Sequence, residues 1–567
     1  MSSKRSRAKS LTKMTIIFMS FAIIFGFRNI VNNQNQFGLL ACVLFLVGGA
    51  IYAIPMVLIT AEFGSIKKLK NQEAGLGSFC VFALGEKGGF LASWSSYFGN
   101  LFFFATLAPF TIIALSYGLY GANGFDELTR YFVDENMLSA DGSARASACV
   151  LAMFAILLFW VGTFISKKGP KWLGWVTNIG GTASLILGVV FILFALFYTI
   201  PVNGIQSNFK GWSDLNAVDS KNGFDGDWWS FLSAFPWLLF GYNGIETMSV
   251  FIKDTKKGIK AFKIASIIGM SIVISLMVIG GLVLSLTIDQ QQISDWKIPN
   301  ADFLVFPKMI GLSENSAGGK AIIHIAGLVT ALNGIGSLFF WTAAPTKVFF
   351  SETPKNVMGK WLSKTDENGM PHNALLAQAI VVTVILTIVG VTSTASTDGE
   401  LESSSEFLVK SIDATTTLAI VQMFFYFWGY IRLRLKMDDT ERGTRFFKNK
   451  IFPIIICSIT LIILLIAFFF GCVPSPNKWQ EDPGKAAINF VFIFGGCVFF
   501  MGTGMLAYWI NVERKERKNG GSIDNNSSEI NEIHIDKPIT KDLKIDYIES
   551  SNNNLNEDSD HRLNKKP

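Results

Sequence analysis

The sequence predicts an all-α, polytopic membrane protein with 12 transmembrane helices. Three observations carry this. Half of the 567 residues are apolar. Charged residues make up 16%, against about 25% in soluble domains. Apolar runs long enough to cross ~30 Å of hydrocarbon recur along the whole chain. They fall at roughly 14–33, 37–61, 89–120, 146–166, 172–200, 228–252, 262–287, 321–350, 374–392, 405–433, 451–472 and 486–511. These are numbered below as spans 1 to 12.

Residues 1–13 form a basic lead, 14–511 one transmembrane domain, and 512–567 a polar tail. Span 1 is too long for the apolar core of a signal peptide, and no small-residue cleavage pattern follows it. Orientation comes from the connections. Lys4, Arg5, Arg7, Lys9 and Lys13 precede span 1. Basic clusters then return in every second connection: Lys67, Lys68 and Lys70; Lys167, Lys168 and Lys171; Lys253, Lys256, Lys257 and Lys260; Lys355, Lys360 and Lys364; Arg432 to Lys450. The intervening connections are acidic or neutral, as with Asp126, Glu127, Asp134 and Glu135, or Asp398, Glu400 and Glu402. The positive-inside rule therefore places both termini in the cytoplasm, in a multi-pass plasma membrane protein. The net charge of +6 belongs to that topology, and no nucleic-acid motif accompanies it. The tail from Asn519 is rich in Asn, Asp, Glu, Ser and Lys, so it is expected to stay disordered. A solvated tail and a cytoplasmic cap gating the inner mouth both remain open.

Two spans are interrupted. In span 6, Phe240-Gly241-Tyr242-Asn243-Gly244-Ile245-Glu246 sets two glycines, an asparagine and a carboxylate inside an apolar run. A carboxylate at mid-bilayer costs about 2.5 to 3.5 kcal/mol on insertion scales. Backbone that leaves the helix at that depth is tolerated where it is buried in protein or lines a cavity. In span 1, Phe25-Gly26-Phe27-Arg28-Asn29 falls near mid-depth, followed by Asn32 to Gln36. Interrupted spans at matching positions of two halves point to a transporter site. Spans 1–5 and 6–10 then read as two inverted units, with spans 11 and 12 added.

Such breaks expose N–H groups at one helix end and carbonyls at the other, which suits the two ends of a zwitterion. The candidate substrate-binding residues are Gly26, Phe27, Arg28, Asn29, Phe240, Gly241, Tyr242, Asn243, Gly244, Glu246 and Asn333. Phe240, Trp237 and Tyr242 supply rings that could cover a substrate or simply pack. Arg28 could meet a substrate carboxylate, pair with a protein acid such as Glu246, or reach toward the outer surface. Glu246 could carry a coupled proton or organise the break or a gate. In span 8, Asn333, Gly334, Gly336, Ser337, Trp341 and Thr342 suit close helix approach, with Asn333 a candidate pathway residue. Asp413 of span 10 reads as a solvated mouth position. The six cysteines lie in or beside apolar spans without metal-ligand spacing, and no cofactor or metal is called for. No HExxH, GxSxG, P-loop or CxxC motif occurs, which argues against an enzyme.

These motifs together resemble the amino acid–polyamine–organocation (APC) superfamily, in particular the glutamate/γ-aminobutyrate antiporter family and its YjeM-like branch. Phe25 to Asn29 looks like that family's opening motif. Ile54-Pro55, Leu58 and Ala61-Glu62 match its I-P-x-x-L-x-x-A-E signature. Gly241 to Glu246 is similar to its span-six break, and Lys253-Asp254-Thr255 through Phe262 to the link that follows. Pro345-Thr346-Lys347, Thr353-Pro354-Lys355 and Tyr430 to Arg434 fit as well. The resemblance runs from about Met14 to Ile510. It departs at the lone Gly26, at Glu73-Ala74-Gly75-Leu76 and in the tail, which shows no plug motif. It implies a LeuT-like 5+5 inverted repeat and a secondary amino-acid transporter working by alternating access, with antiport favoured over proton symport. The partners would be an amino-acid substrate, a counter-transported amino acid or proton, and the lipid bilayer. A sensor that kept the fold is the alternative from another class.

Overall fold

Span 1 sets the pattern, because its glycine divides it. In the computed structural model, which describes residues 9–515 except 71–74, 206, 208–227, 297, 352–356 and 394–401, it runs as Lys13–Ile24 and Phe27–Phe37. Thr12 starts the first half, its side chain accepting from the Thr15 amide. Span 2, Leu40–Gly64, is continuous, but its turn widens to i→i+5 bonding over Gly49–Ala53. Spans 3, 4 and 5 are Glu86–Tyr120, Ala140–Lys167 and Pro170–Asn203. Span 6 is Trp228–Ser233 and Phe235–Phe240, then Ile245–Met248 continued as tighter turns through Asp254. Span 7, Gly258–Thr287, leads into short helices Gln290–Asp295 and Ile298–Met309. Spans 8, 9 and 10 are Ala317–Phe350, His372–Thr392 and Glu402–Lys436. Span 11 is Ile451–Cys472 and span 12 fills Pro483–Glu513.

Ten of these helices, among the described residues, are long and apolar enough to cross a membrane. The two expected spans outside that count are span 6, whose break leaves short pieces, and span 10, a 35-residue helix whose side chains before Thr415 are not described. The Asp413 side chain, Asp398 and Glu400, Glu73-Ala74, Thr353-Pro354-Lys355, and the tail from 516, with the choice between a solvated tail and a gating cap, all lie outside the described residues.

Spans 1, 3 and 8 form the centre. The apolar windows of spans 1 and 3 are each 61% buried and that of span 8 is 56%, against 28% and 17% in spans 11 and 12. Exposed Ile462, Val491 and Phe499 on those last two spans give lipid its apolar contact. Span 8 reaches the centre through small residues. A Cβ on Gly327 would sit 2.3 Å from the Gly118 amide of span 3, and one on Gly334 would sit 2.5 Å from Thr111.

A buried charge cluster fastens span 2 to span 10. Glu62, fully buried, receives Arg434 at 3.0 Å, Arg442 at 3.0 Å, the Tyr430 hydroxyl at 2.7 Å and the Phe446 amide at 2.6 Å. Ile66 pairs with Arg442 as an isolated antiparallel bridge, so the loop after span 10 lies along the end of span 2.

Candidate functional site

The two breaks meet. A Cβ on Gly241 would lie 3.7 Å from the Asn29 side-chain Nδ2, and one on Gly244 would lie 3.3 Å from both Ile23 and Ile24. Gly244 has φ +138°, a conformation that side chains avoid, so its glycine is required by the backbone. A Cβ on Gly26 would meet nothing within 4 Å. That open space borders the first turn of Phe27–Phe37, where no side chain caps the helix. The N–H groups ahead of the first helical bond, which Asn29 donates to the Gly26 carbonyl at 2.9 Å, and the positive dipole end there favour an anion such as a carboxylate.

The carbonyl ends are braced by amides. Asn29 donates to the Ile24 carbonyl at 3.2 Å, and Asn333 of span 8 donates to the Phe25 carbonyl at 3.1 Å. Asn333 thus ties span 8 to the break of span 1, and its own Oδ1 is buried without a partner. In span 6, the amides of Gly241, Tyr242 and Asn243 return to the carbonyls of Trp237, Leu239 and Phe240.

Glu246 faces its own helix end. Its carboxylate accepts from the Gly244 amide at 2.8 Å and from Thr247 Oγ1 at 3.1 Å. This is the reach-back of a capping box, with the residue near the helix start satisfying the N-cap amide. It also gives a buried carboxylate the donors it needs. Of the alternatives open for Arg28, the structure shows a protein acid as its neighbour, but that acid is not Glu246. Arg28 turns to Asp302 of helix Ile298–Met309, Nε to Oδ2 3.8 Å, with its guanidinium 4.3 Å above the Phe110 ring. Asp302 was missed from sequence because it lies in a connection between spans, where a carboxylate looks ordinary.

Tyr242 is buried, and its hydroxyl donates to the Phe45 carbonyl of span 2 at 2.7 Å. Its ring therefore packs toward span 2. Asn243 accepts from the Tyr52 hydroxyl, which the widened turn of span 2 carries to the break. Tyr52 had no sequence signal beyond the neighbouring Gly48-Gly49. Phe27 packs on Phe306 at 4.6 Å. Phe240 meets Phe103 of span 3 at 5.5 Å, and Phe103 meets Trp341 of span 8 at 5.7 Å. These three rings make an aromatic wall on the flank of the break.

At the far end of span 6, Leu11 donates to the Asp254 carbonyl at 3.0 Å and accepts from the Lys256 amide at 2.7 Å. The buried Asp254 carboxylate lies 3.6 Å from Lys347 of span 8. No group of three or more His, Cys, Asp or Glu among the described residues is placed to hold a metal.

Comparison with known proteins agrees with this architecture. Residues 11–499 match the family model described as amino acid permease. The chain is 21% identical over 479 residues to the aspartate/glutamate permease AcaP of Lactococcus lactis, covering 83% of this chain and 90% of that protein. It is 24% identical over 440 residues to a glutamate/γ-aminobutyrate antiporter of Lactococcus lactis, covering 77% and 78%. It is 22% identical over 522 residues to the inner membrane transporter YjeM of Escherichia coli, covering 88% and 96%. The chain belongs to the amino acid permease family and is a multi-pass secondary amino-acid transporter.

Proposed function

We propose that this transporter holds an amino-acid zwitterion between the breaks of spans 1 and 6 and carries it by alternating access, exchanging one amino acid for another. The observation that carries this reading is the uncapped start of Phe27–Phe37 beside open space at Gly26. The substrate carboxylate sits on those N–H groups, and its ammonium lies against carbonyls of the breaks. The aromatic wall of Phe103, Phe240 and Trp341 flanks the side chain. Gly26, Asn29, Gly241 and Asn243 border the site, while Glu246, Gly244 and Asn333 hold its shape. Spans 1–5 and 6–10 act as two inverted units in a LeuT-like arrangement. Both termini are cytoplasmic in the plasma membrane, as the basic connections support.

Exchange is favoured because one curated relative is an antiporter. Purified protein in liposomes, given labelled alanine, glutamate or γ-aminobutyrate with and without internal amino acid, tests this. Saturable uptake stimulated several-fold by internal substrate is expected. Uptake indifferent to internal substrate would overturn exchange, and folded protein taking up no amino acid would overturn the site.

A further inference from the structure

The pair formed by Arg28 and Asp302 has no part in that scheme. Its geometry is unusual for a buried ion pair. Asp302 is 2% exposed, yet neither carboxylate oxygen makes a hydrogen bond. Arg28 Nε also lacks one, and the closest approach is 3.8 Å. A buried carboxylate held for stability normally has both oxygens hydrogen-bonded, as Glu62 does. Here the two groups share a volume without closing on each other.

Their exposure differs. The Arg28 side chain is 19% exposed, whereas Asp302 is sealed behind it. Arg28 is the second residue of Phe27–Phe37, two positions past the open space at Gly26. Side chains on a helix lean toward its N-terminus, so the guanidinium stem starts toward the break. A carboxylate bound at that helix start therefore competes with Asp302 for one guanidinium.

We propose that Asp302 is the proton carrier of the transport cycle: the substrate carboxylate takes Arg28, and the displaced, buried Asp302 carboxylate binds one proton from solvent. The balance is simple. One Asp–COO⁻ and one H⁺ give Asp–COOH, and the guanidinium keeps its charge with the substrate carboxylate as its new counter-ion. The inference rests on substrate binding at the break of span 1. It moves the proton role from Glu246, whose oxygens are held by Gly244 and Thr247, to the connection between spans 7 and 8.

The surroundings of Asp302 leave Arg28 as its charged neighbour. Helix Ile298–Met309 packs on spans 1, 3, 5, 7 and 8 and on Gln290–Asp295. Span 3 presents Tyr117, whose hydroxyl is 2.9 Å from Asn300 Oδ1. Span 8 presents His324, held to the Gly118 carbonyl at 3.0 Å. Asp295 is taken by Gln291 at 2.9 Å, and Asp289 leads the same short helix. Lys308 is on the helix itself. Spans 5 and 7 carry their cations, Lys171, Lys260 and Lys263, at the opposite ends. Burial pushes the Asp302 carboxyl up to about 8 against the downward pull of the Arg28 guanidinium. Losing Arg28 to substrate removes the downward pull, so proton affinity rises on binding. By linkage, binding takes up a proton and tightens as pH falls. The slope lies above the pH where free Asp302 is already protonated.

Calorimetric titration of the full chain in detergent with alanine, glutamate and γ-aminobutyrate, from about pH 6 to about pH 9.5, tests this. Repeating it in buffers of different ionisation enthalpy counts the protons. Wild type is expected to weaken by up to about tenfold per pH unit above about pH 8, with up to one proton taken up per ligand. Asp302→Asn should bind with no such slope and no proton uptake, while Asp302→Glu should keep both. Wild-type binding without slope or proton uptake would overturn the proposal, as would Asp302→Asn retaining the slope. If Asp302→Asn does not fold, the wild-type proton count and Asp302→Glu decide. Absence of any ligand binding by folded wild type would remove the site at the break together with this inference.

Discussion

Gly244 and Glu246 solve one problem between them. The chain must restart a helix at membrane depth without leaving its first amide bare. Gly244 supplies the left-handed backbone, and Glu246 folds back 2.8 Å from the Gly244 amide. Replacing Glu246 by Ala removes the cap and should cost about 1–2 kcal/mol, near the upper range for N-caps. Glu246→Gln keeps an acceptor and should retain most of that stability. Thermal unfolding in detergent measures both, and an Ala variant as stable as wild type would refute the capping role. The sequence made this residue conspicuous, because a carboxylate in an apolar run is costly. It left open what the carboxylate faces, since rotation about the break decides between Arg28, solvent and the helix's own amide. Asp302 shows the reverse case. Its connection hid it, and only the packing of Ile298–Met309 on span 1 reveals a buried acid.

At the level of elements, the clasp on Glu62 joins helices that are distant in sequence. Its four partners come from span 10 and the loop beyond it. Removing one member of such a buried set leaves the other charge uncompensated, at about 3–5 kcal/mol. Glu62→Gln should therefore lower stability and yield sharply. Arg434→Met introduced with it should recover part of the loss, and a double-mutant cycle reads the coupling. Additive effects would show that the two do not act as a unit. The helices themselves were legible from apolar runs, and both interruptions fell where glycine and polar residues broke those runs. Three features were not legible. The widened turn at Gly49–Ala53 has no marker in residue type, Ile298–Met309 is too short to register as a span, and the orientation of Tyr242 depends on how span 2 packs.

For the whole molecule, order and charge placement were readable because the bilayer is a harsh solvent. It demands long apolar helices, and it sorts basic connections to one side. The resulting orientation is testable. In a variant cleared of its six native cysteines, a cysteine at exposed Lys364 should react with an impermeant maleimide from the cytoplasmic side, and one at exposed Asp134 from the outside. Labelling of both from one side would contradict the proposed topology. Contacts between spans were not readable in the same way, since lipid tails and helix partners select similar side chains.

Leu11 sits where the lead into span 1 meets the end of span 6. It makes two backbone bonds there, and a third attachment, Asp254 to Lys347, joins the same point to span 8. Three fastenings at one point do not loosen by degrees. Each backbone bond is worth roughly 0.5–1.5 kcal/mol, and losing one frees the strand to lose the next. This junction should then have a threshold: it holds under small displacements of span 1 and parts in a single step once the seam fails.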